Sequence, residues 1–310
     1  MLSLHLYHRS DGPSPSSQYL HQVLRQHGAQ LQESDTFYHS GFWRDEATRA
    51  YVDIDSGPLP LRSITPASTH HDDANAQPKD YPGWTPREVS FHIPLNGPHW
   101  LVVEIARWLE AVLQDLPDCG ILINEDTGLE GEPGYGPGPV ERLRLLRCWE
   151  FCHMEQCASL ATPLMARSSS LALWRYRREL PHGQNHYPHL HWPQALVLSR
   201  NTQAHAVAVW QDPTLAWALP PVEYIVVQRA HETGLIPSDE ILTAAADQAQ
   251  ALSAGAAHAI APCASIKKLF SQASLMPPQP FVHCHDHDWS DTPVIRQAET
   301  PVDEQEHRSP

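Results

Sequence analysis

The sequence predicts an α+β chain. A ferredoxin-like (split βαβ) N-terminal domain over residues 1–127 is followed by a second α+β domain with a small antiparallel sheet over residues 140–276. Three observations carry this expectation. Residues 87–93 alternate, with Val89, Phe91 and Ile93 on one face, the period of a half-buried strand. From Trp100 the apolar residues Leu101, Val102, Ile105, Trp108, Leu109 and Val112 fall on a helical stripe. Pro117 stops that helix, and Cys119–Ile123 resumes as a mostly buried strand.

The remaining elements follow in chain order. Residues 1–7 alternate Leu2, Leu4 and Leu6 against Ser3, His5 and Tyr7, a first strand. Ser16 or Ser17 can cap a helix over residues 18–27, and Gly28 suits its end. Residues 36–43 and 49–54 read as two further strands. Residues 56–86, rich in Pro, Ser, Asp and His without periodicity, read as an exposed insertion. The order β-α-β-β-loop-β-α-β is the split βαβ arrangement with an extra strand.

Residues 128–139 hold Gly or Pro at eight of twelve positions, which marks a linker. Helices are expected over residues 140–160 and 168–180, then a loop rich in His and Pro over 181–193. Short apolar strands at 194–199, 205–210, 215–219 and 222–228 suggest an antiparallel meander. Helices at 238–252 and 265–275 close the second domain. Residues 277–310 read as a disordered acidic tail, with seven carboxylates against two arginines.

Composition excludes several function classes. No apolar run reaches the roughly 18 residues of a membrane helix, and residues 1–10 lack the pattern of a signal peptide, so a cytoplasmic protein is expected. The formal charge of −15 opposes nucleic acid and anionic lipid, which carry the same sign. The 21 histidines make that charge sensitive to acid, since protonating all of them would carry it to +6. Six cysteines without regular spacing point to reduced thiols.

Candidate site residues are few. His182, His186, His189 and His191 could supply three ligands and an open position to zinc or another divalent transition metal. His283, His285 and His287 would share one face of an extended strand and could hold a metal, although adventitious surface chelation is the better account of them. Glu125 and Asp126 follow a strand's carboxyl end, where acid–base groups often line a cleft, and are the candidate catalytic pair. Cys148 and Cys152 share a helical face that Cys157 does not, so one ion cannot take all three. Trp174, Arg175, Tyr176, Arg177 and Arg178 mix aromatic and cationic groups, a nucleic-acid pattern for which internal pairing with carboxylates is the simpler account. Nucleophile elbows, phosphate loops and zincin motifs are missing from the sequence. The expectation is a binding protein without catalysis or cofactor that recognises a basic protein partner, in an immunity-like or adaptor role. The rival is a metal-dependent enzyme built on the histidines at 182–191.

Overall fold

A computed structural model describes residues 1–32, 39–57, 81–123, 136–157, 162–228, 233–245, 248–252, 257–275, 282–285 and 288–291. It is a mixed α+β molecule with six helices among these residues and several antiparallel pairings. The first half runs β1 (Leu2–Arg9), α1 (Ser17–Gln26), β2 (Gln30–Leu31), β3 (His39–Arg44), β4 (Tyr51–Ser56), β5 (Trp84–Ile93), α2 (Trp100–Gln114) and β6 (Cys119–Ile123). Its strands form one sheet in the order β2-β3-β4-β5-β1-β6, and every neighbouring pair is antiparallel.

Local chemistry explains the ends of α1. The Ser16 hydroxyl accepts from the Tyr19 amide at 3.2 Å, satisfying one orphan donor. Gly28 takes φ +85°, which glycine reaches without a Cβ penalty, and its amide returns to the Arg25 carbonyl. The apolar stripe of α2 is buried at Leu101, Val102, Ile105, Leu109 and Val112. Trp108 stacks on Trp43 of β3, meets Phe91 of β5 edge-on, and donates its indole N–H to His27 O.

On strands β1 and β5 the polar positions pair as well. His5 faces Ser90, with Nδ1 2.9 Å from the hydroxyl, and Ser3 faces His92. Burial, assisted by His92, lowers the His5 pKa from 6.5 to about 4. The unfolded chain therefore takes up a proton between these values while the folded chain does not. This contribution to stability is complete above about pH 6.5 and falls progressively towards pH 4. Urea denaturation should show a loss of about 2 kcal/mol from this group between about pH 7 and pH 5. His5→Asn, which can keep a hydrogen bond to Ser90, should flatten that part of the profile; an unchanged slope would remove His5 as its source.

The second half runs α3 (Arg142–Cys157), β7 (Leu164–Met165), α4 (Arg167–His186), β8 (Ala195–Arg200), β9 (Gln203–Trp210), β10 (Trp217–Leu219), β11 (Tyr224–Gln228) and β12 (Thr233–Pro237). It continues with α5 (Ser238–Ala244), β13 (Gln250–Ala251), β14 (His258–Ile260), α6 (Ala264–Gln272), β15 (Ser274–Leu275), β16 (Val282–Cys284) and β17 (Ser290–Asp291). β8 and β9 form a hairpin through Asn201 at φ 57°, a conformation asparagine tolerates. The meander expectation holds only for that hairpin. β11 lies parallel to β9, because the connection between them carries β10 away to a three-stranded sheet with β14 and β13.

Two further differences have physical causes. Helix α4 continues through Pro181 to His186, past the expected stop at residue 180. Its last turn is retained because the Tyr187 amide bonds Gly183 O and Trp192 packs against Gly183. Within residues 277–310, β16 pairs antiparallel with β8, β17 pairs parallel with β7, and Trp289 is fully buried. Buried apolar residues from Leu2 to Trp289 form one continuous cluster across both halves. Most of the insertion expected at 56–86, much of the 128–139 linker, and residues 292–310 lie outside the described residues.

Candidate functional site

A cavity of about 300 Å³ opens between the β3–β4 hairpin and the β8–β16 pair. The hairpin contributes Phe42, Arg44, Arg49, Tyr51 and Asp53 to its lining. Leu196, Val197, His283, Cys284 and His285 line the opposite wall, and Arg177 of α4 closes it. Strand pleating explains the hairpin wall: Tyr51 and Asp53 are two residues apart on β4, Phe42 and Arg44 two apart on β3, and Phe42 pairs with Asp53.

The turn between these strands is tightly made. Asp45 Oδ1 accepts from the Thr48 amide at 2.6 Å and its hydroxyl at 2.8 Å, while Asp45 N bonds Ala50 O and Arg49 N bonds Asp45 O. This closure holds Arg49 at φ 65°, a left-handed conformation that costs an ordinary side chain about 1 kcal/mol. Arg177 is 6% exposed, with its guanidinium 5.8 Å from the Trp100 ring centre, a cation–π contact. Burial pushes the Asp53 carboxyl above its ordinary value, opposed by His92 and reinforced by Asp55. Burial and the carboxylates of Asp53 and Asp288 push the Tyr51 phenol up. The Cys284 thiol is also raised, mainly by burial, which favours the unreactive protonated form.

The structure divides the expected site residues. His283 and His285 lie together at the cavity mouth, with ring centres 5.0 Å apart and both side chains exposed. His287 lies outside the described residues, as do Glu125 and Asp126. His182 and His186 stack at 5.7 Å on the last turns of α4. His189 instead touches Tyr187, while His191 is tied by backbone bonds to Ala216 and Ala218 and packs on Trp217. Among the described residues, no group of three or more His, Cys, Asp or Glu is placed to hold a metal ion. Cys148 is buried and Cys152 partly buried on α3, both outside any disulfide.

The cationic–aromatic string is occupied internally. Trp174 Nε1 donates to Glu104 Oε1 at 2.7 Å, and Arg107 and Arg178 flank the same carboxylate and the Trp174 ring. Tyr176 points inward and donates to Pro193 O at 2.6 Å.

A second polar cluster, away from the cavity lining, escaped the sequence reading. Asp291 Oδ1 accepts the His99 amide at 3.0 Å; Asp291 Oδ2 accepts the Ser170 hydroxyl at 3.0 Å and contacts His99 Nδ1. Ser290 Oγ lies 2.8 Å from Gly97 O and 2.9 Å from His153 Nε2. His153 Nδ1 donates to Leu95 O, and its ring stacks on Trp149. All five side chains are buried, so Asp, His and Ser here act as a structural pin that joins β17 to the starts of α2 and α4. The only sequence signal for it is Trp289 beside two small polar residues, an apolar anchor in an otherwise polar stretch.

Comparison with known proteins finds no matching family model, no similar curated protein and no similar solved structure.

Proposed function

We propose that this chain is a non-catalytic cytoplasmic binding protein that recognises a basic protein partner, in an immunity-like or adaptor role. The observation that carries the reading is where its charge resides. Residues 124–135 hold four acidic and no basic side chains, and residues 277–310 hold seven acidic against two basic. Glu125, Asp126, Glu130 and Glu132 form one dense group, and Glu299, Asp303, Glu304 and Glu306 another. Such groups steer a basic partner and bind it in a salt-dependent way. The same proposal treats the first sheet as a ferredoxin-like domain with an added edge hairpin. What supports that is the order β6-β1-β5-β4, antiparallel throughout, with β3 and β2 appended. The division into two domains at residues 128–139 belongs to it as well.

Affinity capture from the source cell, with the chain purified free of tags, tests the partner. One basic protein retained at low salt, and lost when Glu125, Asp126, Glu130 and Glu132 are changed to their amides, is expected. Equal retention by both forms, or capture of no basic protein, would refute it. The rival metal-dependent enzyme is favoured by the His182/His186 pair, spaced one helical turn apart as zinc-binding histidines often are. Stoichiometric zinc in the untagged protein, lost on His182→Ala, would decide for that rival.

A further inference from the structure

The cavity between the β3–β4 hairpin and the β8–β16 pair has the opposite electrostatic character to the chain. Among the described residues, Arg44, Arg49 and Arg177 line it with one carboxylate, Asp53, in a protein of net charge −15. Asp288, close enough to act on Tyr51 and Cys284, offsets part of this positive charge, while Arg44 and Arg49 stand together on the hairpin wall. Neither Arg44 nor Arg49 forms an ion pair with any carboxylate among the described residues. Holding like charges together costs free energy that an anion would remove. The backbone adds an independent sign: Arg49 occupies a left-handed conformation that Asn or Gly would adopt with less strain. Strain kept at a cavity wall is characteristic of functional positions.

The lining also constrains the shape of the ligand. Guanidinium forks match phosphate oxygens in pairs. Phe42, Tyr51, Leu196 and Val197 supply apolar walls, and a volume of about 300 Å³ suits a small molecule. We propose that this cavity binds a phosphate monoester carried on a single aromatic ring, with Arg44, Arg49 and Arg177 gripping the phosphate and Phe42 and Tyr51 flanking the ring. Asp53 lies at the β4 wall, where it disfavours ligands whose negative charge extends beyond the phosphate.

Calorimetric titration of the full chain with phenyl phosphate, inorganic phosphate and benzoate tests this. Phenyl phosphate should bind at least about tenfold more tightly than either of the others, since only it offers both the forked anion and the ring. Arg49→Asn and Arg44→Ala should each weaken it by about tenfold or more. Arg49→Asn separates site from scaffold, because it should leave the thermal midpoint unchanged or raised while binding falls. Benzoate binding as tight as phenyl phosphate, binding untouched by both substitutions, or no heat with phenyl phosphate at millimolar concentration would each overturn the assignment. Capture of a basic partner through the acidic segments is read separately, so either result can fail without the other.

Discussion

Asp291→Ala is expected to lower the unfolding free energy by about 3–5 kcal/mol, the range for removing one member of a buried charged cluster. The substitution leaves the His99 amide, the His99 ring and the Ser170 hydroxyl buried without their acceptor. It also removes a negative charge from the first turns of two helices, α2 and α4, whose amino ends favour anions. Neither helix has a capping side chain of its own, since His99 and Ala166 at their cap positions make no side-chain capping bond. Asp291→Asn should recover about half of the loss, since its amide oxygen can still accept the His99 amide. Urea denaturation followed by tryptophan fluorescence reads both variants, with Trp100 and Trp289 fully buried nearby. A loss below about 1 kcal/mol for the alanine variant would show that β17 contributes no pin.

Gly183→Ala should destabilise the protein by about 3 kcal/mol, against the direction helix propensity predicts. Alanine is favoured over glycine in a helix by about 1 kcal/mol. Here, however, a methyl would lie 2.7 Å from Trp192 Cζ3 and closer still to Cη2. The indole cannot retreat easily: it stacks with Tyr176 at 6.2 Å and with Tyr187 at 6.5 Å, and is 7% exposed. Either the helix end shifts or Trp192 leaves the core, and expelling so large a side chain outweighs the propensity gain. The thermal midpoint and the near-ultraviolet dichroism of the tryptophans report the outcome. Trp192→Leu should make the glycine substitution less costly, so the double mutant should lose less than the two singles combined. Higher stability for Gly183→Ala alone would contradict this packing.

What the sequence disclosed was what short-range chemistry encodes. Ser16 and Gly28 bracket α1, the apolar spacing of residues 101–112 gives α2, and the alternations of β1 and β5 are direct. Strands β7, β13, β15 and β17 have two residues each, too few to show a period. The parallel pairing of β9 and β11 depends on where the intervening chain travels, which local residues do not specify. The extension of α4 past Pro181 comes from Trp192, a tertiary neighbour that overrides the usual breaker. At the cavity, His283 and His285 drew attention through their spacing, whereas Arg44 and Arg49 are ordinary hairpin residues until the fold sets Arg177 opposite them. Asp291 was hidden for the same reason, with its partners His99 and Ser170 lying 192 and 121 positions away.

That distance bears on biosynthesis. While the polypeptide emerges from the ribosome, the amide of His99, the cap residue of α2, must wait without its native acceptor until almost two hundred further residues have been made. Closure of so long a loop is entropically slow, which makes maturation late and cooperative, and leaves nascent Trp100 and Leu101 in need of shielding from premature association.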